Sequence, residues 1–235
     1  IVVNLMLERI GRLLENLRQV SADVAHDLRT PLARLRGRLE MALDEADSVA
    51  QRRAIEEAVE QGDALLTLFA SILRIVEVDS GEIRQGFVPV DVSALAADLC
   101  ESYAPAIADG GRSLASDIAP GMIVPGDREL IAQALINLLD NAQAHTPPGT
   151  RIGLMVREEA GMARLAVIDD GPGVPAEDRG RITERFVRLD RARSAAGHGL
   201  GLNLVETIAR AHGGSLSIGD ARPGLEVVLR LPLAR

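Results

Sequence analysis

Apolar residues at three- and four-residue steps organise the N-terminal part of the chain. Met6, Ile10, Leu13, Leu17, Val20, Val24, Leu28, Leu35 and Leu39 form one stripe at about 100° per residue, with a longer gap across Pro31. The stripe outruns an ordinary globular helix and predicts a coiled coil or helix bundle. "DEADSVAQRR" interrupts it, and Ile55, Val59, Leu66, Phe69, Leu73 and Val76 begin a second stripe. Two long helices with a short connection predict an antiparallel hairpin. Such a hairpin leaves one apolar face wet, and a dimer forming a four-helix bundle would bury it.

"EVDSGEIRQGFVPVDV", rich in Gly, Pro and polar residues, reads as a linker. The texture then changes. Helices are predicted over Val92–Ala108, Arg128–Ala144 and about Leu200–His212. Short strand-like runs lie between and after them: "RIGLMV", "ARLAVI", "GSLSI" and "LEVVLRL". Helices mixed with several short strands predict an α/β sandwich behind the helical hairpin.

Composition changes this picture in three ways. Aromatic residues make up only 2% of a chain that is 47% hydrophobic, so the core must be built from Leu, Ile, Val and Ala. The formal net charge of −8 argues against general nucleic-acid binding, which needs a basic surface. The single cysteine, Cys100, excludes an internal disulfide, fits a reducing compartment and reads as a small buried hydrophobe. No apolar run is long enough to span a bilayer. The chain, which starts at Ile1 without a signal peptide, is expected to be an excised soluble piece of something longer.

The candidate chemistry starts at "VAHDLRTPLARLR". If Val24 and Leu28 centre the buried stripe, His26 points to the opposite side of its helix, toward solvent. A lone exposed histidine usually has no function. Here Asp27 adjoins it, Thr30 shares its face one turn on, and Pro31 should bend the helix just beyond. An exposed imidazole is largely neutral at pH 7, so one ring nitrogen is free to attack phosphorus. The adjacent carboxylate can hold the other N–H and stabilise the cation that forms.

The second half supplies what such a nucleophile needs. "NLLDNAQAHTPPG" puts Asn137 and Asn141 one turn apart, and an Asn carbonyl is a hard oxygen ligand suited to Mg²⁺. Mid-helix Asn is unfavourable without a role, which weighs against a merely structural reading. In "VIDDGPGV", Asp169 follows a strand and can accept a hydrogen bond from an exocyclic amine such as that of adenine. Gly171 and Gly173 permit a tight turn and close approach to a ligand. In "GHGLGLNLV", Gly197, Gly199 and Gly201 run with Leu200 into a helix, and a helix N-terminus entered through glycines favours phosphate. The polar, Arg-rich segment before it, Glu177–Ala196, suggests a mobile lid.

The order of these motifs resembles that of the bacterial sensor histidine kinases of two-component systems. "HDLRTPL" resembles the H-box, "NLLDNA" the N-box, "DDGPG" the first glycine box, "ERF" (Glu184–Phe186) the F-box and "GHGLGL" the second glycine box. The start of the chain resembles the end of a HAMP signalling helix. The resemblance implies a dimeric helical-hairpin domain joined to a Bergerat-type ATP-binding α/β sandwich. It implies a HAMP-like end over 1–16, a dimerisation and phosphotransfer hairpin over 17–80, a linker over 81–86 and a catalytic domain over 87–235.

The resemblance also implies a reaction. His26 would attack the γ-phosphorus of Mg-ATP and pass the phosphoryl group to an aspartate on a response-regulator receiver domain. Asp27 would orient His26 and take its proton. Thr30 would place water for dephosphorylation of the regulator. Asn141 would hold Mg²⁺, with Asn137 in support. Asp169 would bind the adenine amine. Gly171, Gly173, Gly197, Gly199, Leu200 and Gly201 would shape the pocket and cradle phosphate, which Arg185 and Arg188 would face. His145, where the family often has tyrosine, would stack on a base. Ala144, Thr183 and His198 also depart from frequent family residues. The implied partners are a second copy of the chain and the regulator, with no nucleic acid. The implied location is the cytoplasmic side of a bacterial inner membrane, reached only through an upstream segment.

Two rival readings remain. One is a nucleotide-binding scaffold, or a phosphatase-dominant signalling protein with weak kinase activity. The other is an ATPase clamp on the same fold, which has no reason to place "HDLRTPL" upstream. Flexibility of the linker would let the ATP domain swing onto His26.

Overall fold

The computed structural model describes residues 36–37, 39–40, 50–56, 58–59, 62, 86–183 and 200–234. His26, Asp27, Thr30, Arg185, Arg188, Gly197, His198 and Gly199 lie outside the described residues, as do "ERF" and most of the two predicted stripes. The chain divides into two compact units, Ile1–Val76 and Glu77–Arg235.

In the first unit every described residue is helical, and residues 50–53, read from the sequence as part of the break between the stripes, are already helical. Arg36 Nε donates to Glu40 Oε1 at 2.7 Å across one helical turn. Ala58 is buried, whereas Ile55 and Val59 of the second predicted stripe are 46% and 58% exposed in the single chain.

The second unit is an α/β sandwich. Its elements are β1 (Val88–Asp91), α1 (Val92–Asp109), β2 (Ser113–Ile118), β3 (Ile123–Gly126), α2 (Arg128–His145), β4 (Arg151–Glu159), β5 (Met162–Asp169), α3 (Gly201–Ala211), β6 (Ser215–Asp220) and β7 (Leu225–Pro232). Five strands form one sheet in the order β2-β4-β5-β7-β6. The β2–β4 pair is parallel and the others are antiparallel. β1 and β3 make a separate antiparallel ribbon.

Period-two burial sets one face of the sheet. Ile152, Leu154 and Val156 of β4, Leu165 and Val167 of β5, and Val227, Leu229 and Leu231 of β7 are buried. The helices supply the facing layer with period-3.6 stripes. In α2 the buried residues are Leu130, Ile131, Ala134, Leu135, Leu138, Leu139 and Ala142. Asp127 caps α2, its Oδ1 accepting from the N–H groups of Glu129 (2.9 Å) and Leu130 (3.1 Å). Asp91 caps α1 by accepting from Ala94 N–H at 3.0 Å. Cys100 is buried on α1, as its composition-based reading expects.

In the second unit the three predicted helices and the four strand-like runs form. The linker reading of "EVDSGEIRQGFVPVDV" is corrected at its end, where Val88–Asp91 is strand β1. Pro89 stands opposite Pro125 of β3 in register, so two of the ribbon's residues have no N–H to donate. β2 also escapes the pattern. It is an edge strand with no buried residue, so no alternation marks it.

His212 ties the end of α3 to the start of α2. Its Nε2 accepts from Asp127 N–H at 3.1 Å, so the proton sits on Nδ1, which lies 2.8 Å from Ile208 O and donates to it. The ring stacks on Phe87, with centroids 4.5 Å apart and planes 14° from parallel. Gly126 makes room, since a Cβ there would lie 2.6 Å from His212 Cδ2. Replacing His212 by Leu removes the acceptor for Asp127 N–H at the cap of α2. The expected cost is about 2–3 kcal/mol, read as a lower urea midpoint. An unchanged midpoint would show that water or another group serves Asp127 equally well.

Candidate functional site

A pocket opens between the C-terminal half of α2, the end of β5 and the start of β7. Leu138 and Ala142 form its floor on α2, Val167 and Val227 its sheet side, and Pro172 and Val174 the loop that follows β5. Asn141, His145, Thr146 and Asp169 bring the polar groups to this apolar space. An apolar slot with few polar groups suits a flat heteroaromatic ring.

Asp169 is the last residue of β5 and is 8% exposed. Its Oδ1 accepts from Gly171 N–H at 2.9 Å and from Leu225 N–H at 3.4 Å. Both donors address one oxygen, so among the described residues no donor meets Oδ2. Burial pushes the carboxyl above the usual carboxylate range, the two N–H bonds oppose this, and the charge of Asp170 adds to it. Asp170, next in the chain, turns to a different task. Its two oxygens take Arg151 N–H at 2.7 Å and Arg151 Nε–H at 2.8 Å, and this arginine holds its carboxyl below the usual range. Asp170 thus fastens the strand ends, while Asp169 lines the pocket.

The turn around Asp169 is packed backbone to backbone. A Cβ on Gly171 would meet Thr146 Cγ2 at 2.7 Å and Asp169 Oδ1 at 2.9 Å. Gly173 has φ +66°, and its Cβ would lie 2.8 Å from Gly224 O. Thr146, at the C-cap of α2, donates its hydroxyl to Ala142 O at 2.7 Å. Arg112 Nε donates to Thr146 Oγ1 and O at 3.1 Å each, Nη1 to Gly110 O at 2.9 Å, and Nη2 also to Thr146 O. Arg112 therefore holds the end of α2, and Thr146 presses its methyl against the Asp169–Gly171 turn.

Of the residues the sequence nominates, Asn141, His145, Asp169 and Gly173 line this pocket together, and Gly171 shapes Asp169 from behind. Asn137 does not line it. Its Oδ1 accepts from Gln133 Nε2–H at 3.2 Å, one turn away from Asn141. Leu200 is buried and precedes α3, while Gly201 is exposed with open space where a Cβ would stand. Neither lines the pocket. Thr183 donates to Gly180 O at 3.4 Å and receives Asn203 Nδ2–H on its carbonyl at 3.1 Å. Thr146, Arg112, Gly224 and Leu225 are missing from the sequence reading. The only signal for the first was its place at the end of "NAQAHT", and the other three become visible only in space. Among the described residues no group of three His, Cys, Asp or Glu could hold a metal ion.

Comparison with known proteins agrees with this geometry. Residues 126–235 match the family described as histidine kinase-, DNA gyrase B- and HSP90-like ATPase, which implies ATP binding in this unit. Residues 16–81 match the His Kinase A (phospho-acceptor) domain. The probable sensor histidine kinase TcrY of Mycobacterium tuberculosis is 35% identical over 223 residues, which cover 92% of this chain and 46% of TcrY. The chain thus spans about half the length of the curated relatives it matches. Among solved structures, full-length ShkA in complex with AMPPNP is 30% identical with a TM-score of 0.68, over 92% of this chain and 46% of that one. The mycobacterial sensor histidine kinase MprB is 32% identical with a TM-score of 0.55, over 63% of this chain and 100% of that one. A phospho-acceptor helical region followed by an α/β ATPase unit, with similarity running along nearly the whole chain, makes this a member of the bacterial two-component sensor histidine kinases.

Proposed function

We propose that this chain autophosphorylates on His26 from Mg-ATP and passes the phosphoryl group to an aspartate of a response regulator. The observation that carries the reading is Asp169, a buried carboxylate at a strand end, with Oδ2 meeting no donor among the described residues and with Asn141 and His145 lining the same pocket. That oxygen suits the exocyclic amine of adenine. His145 lies at the pocket's exposed side, where an imidazole can stack on the base.

The step requires positioning and charge neutralisation more than covalent machinery. A ring nitrogen of His26 forms a bond to the γ-phosphorus as the bond to the bridging β–γ oxygen breaks. ADP leaves, and Asp27 takes the ring proton. The amide oxygen of Asn141 fits Mg²⁺, which prefers a few hard oxygen ligands and keeps several waters. When bound, the metal neutralises phosphate charge. Gly197, Gly199, Arg185 and Arg188 are assigned to the phosphates, and Asn137 supports Asn141 from the turn before. In the second transfer the phosphoryl group moves from nitrogen to a carboxylate oxygen of the regulator. Thr30 is assigned to orient water when the regulator is dephosphorylated.

The hairpin over 17–80 is assigned to homodimerisation, which would cover the exposed Ile55 and Val59. Residues 81–86 are the linker and 87–235 the catalytic domain. The assigned location is the cytoplasmic portion of a bacterial inner-membrane protein. Among the described residues no helix is long and apolar enough to cross a membrane.

The test is incubation with γ-labelled ATP and Mg²⁺. Acid-labile, alkali-stable label that maps to the peptide containing His26 is the expected result. Bound ATP with no label, or label on another residue, would sink the kinase reading.

A further inference from the structure

Beyond the pocket's own lining, one side chain holds two of its walls together. Arg179 lies in the turns that follow the pocket loop. Its Nε donates to Val174 O at 2.9 Å. Its Nη2 lies 3.1 Å from Asp220 Oδ2, across the fold at the end of β6. Val174 lines the pocket. Asp220 opens the β6–β7 turn, which continues through Gly224 to Leu225, the residue whose N–H reaches Asp169 Oδ1. The same turn meets Gly173, whose Cβ position lies 2.8 Å from Gly224 O.

These contacts close a ring: Asp169, Gly173, Val174, Arg179, Asp220, Gly224, Leu225 and back to Asp169. Two side chains in it bond both segments: Asp169 takes Gly171 N–H and Leu225 N–H at one end, and Arg179 joins Val174 O to Asp220 at the other. The planar fork of Arg179 can serve a carbonyl and a carboxylate at once, which a lysine ammonium cannot do with the same fixed geometry. We propose that Arg179 and Asp220 are a positioning pair for the adenine end of the pocket, setting the spacing between the Val174 wall and Asp169. The proposal rests on the ATP-binding reading given above.

Other contacts at the pair fit a local role. Asp220 Oδ1 also accepts from Arg222 N–H at 3.3 Å, and Arg222 Nε stands 3.8 Å from Oδ2. The β6–β7 turn therefore keeps a partner when Arg179 is removed. Arg222 bridges nothing to Val174. Arg179 and Asp220 are partly exposed, so the pair adds little to global stability, and its effect falls on loop placement.

The experiment measures ATP and ADP affinity, and the rate of self-labelling against ATP concentration, for the full chain, Arg179→Gln, Asp220→Asn and the double variant. Each single variant is expected to weaken ATP and ADP binding by about fivefold, the scale of a partly exposed, hydrogen-bonded ion pair. The rate at saturating ATP stays unchanged. The double variant binds no worse than the weaker single one, because the two residues act as a unit. Thermal melts of the variants stay close to wild type. Wild-type affinity in both single variants, or losses that multiply in the double, would overturn the pairing and leave ATP binding standing. A wild-type chain that binds no adenine nucleotide overturns both.

Discussion

Asp169→Asn is expected to lose ATP affinity by about 100-fold or more while the nucleotide-free protein becomes no less stable. The two halves of this result have different causes. Asparagine keeps an oxygen for Gly171 N–H and Leu225 N–H, so the turn after β5 retains its bonds. Its other atom is an NH₂ group, which cannot accept from an amine. A site built to accept a hydrogen bond then presents a donor to a donor, and such mismatches are heavily penalised. Stability moves the other way. Burial raises the Asp169 carboxyl above its ordinary range, so the folded state disfavours the charged form. A raised folded pKa gives stability that is full below the unfolded value, about 3.9, and is lost as pH rises through the folded value. At pH 7 the ionised Asp169 is therefore a net cost to folding, and Asn removes it. The melting temperature of the nucleotide-free variant should equal or exceed wild type at pH 7, and the gain should vanish near pH 4. Calorimetric titration with ATP and melts at the two pH values check both halves. Retained ATP affinity would show that Oδ2 does not meet the base. A clear loss of stability at pH 7 would show that the charge is needed for the fold.

How far the sequence foretold this site depended on where the information lies. Elements with one buried face were legible. The Ile152, Leu154, Val156 alternation announced β4, and the apolar stripe from Leu130 to Ala142 announced α2. Elements too short for a clear stripe, or with no buried residue, were not. The β1–β3 ribbon hides behind the facing Pro89 and Pro125, and the edge strand β2 buries nothing. The same division runs through the site. Asp169 could be picked from "DDGPG" because a carboxylate before alternating glycines is a local pattern. Its separation from Asp170 could not be explained locally, because it depends on Arg151, which claims the second aspartate from the neighbouring strand. Arg112 reaches Thr146 across 34 residues, and Leu225 reaches Asp169 across 56. Contacts of that span have no periodicity, and only the folded unit brings them together.

Gly224→Ala should be among the most damaging single-methyl changes in this unit. Gly224 has φ +106°, a conformation that a residue with a side chain rarely adopts. The added Cβ would also stand 1.7 Å from Asp169 O, 2.5 Å from Asp169 C and 2.9 Å from Asp170 Cα. These are backbone atoms of the end of β5, so no rotamer change relieves the clash. The β6–β7 turn must move away from β5, and the move withdraws Leu225 N–H from Asp169 and Gly224 O from its packing on Gly173. Strain at the left-handed position and the lost packing together predict a cost of about 4 kcal/mol or more, read as a fall in the urea midpoint. ATP binding should fail with it, because the displaced segment also orients Asp169. Gly153→Ala is the matched control. Gly153 lies in β4 without positive φ, and the nearest atom to its Cβ position, Ile168 O, is 3.9 Å away. That change should alter the midpoint little, or raise it slightly through reduced freedom of the unfolded chain. If Gly224→Ala unfolds at the wild-type midpoint, the turn is plastic enough to absorb a side chain. The close approach at Asp169 would then not be what holds its carboxylate in place.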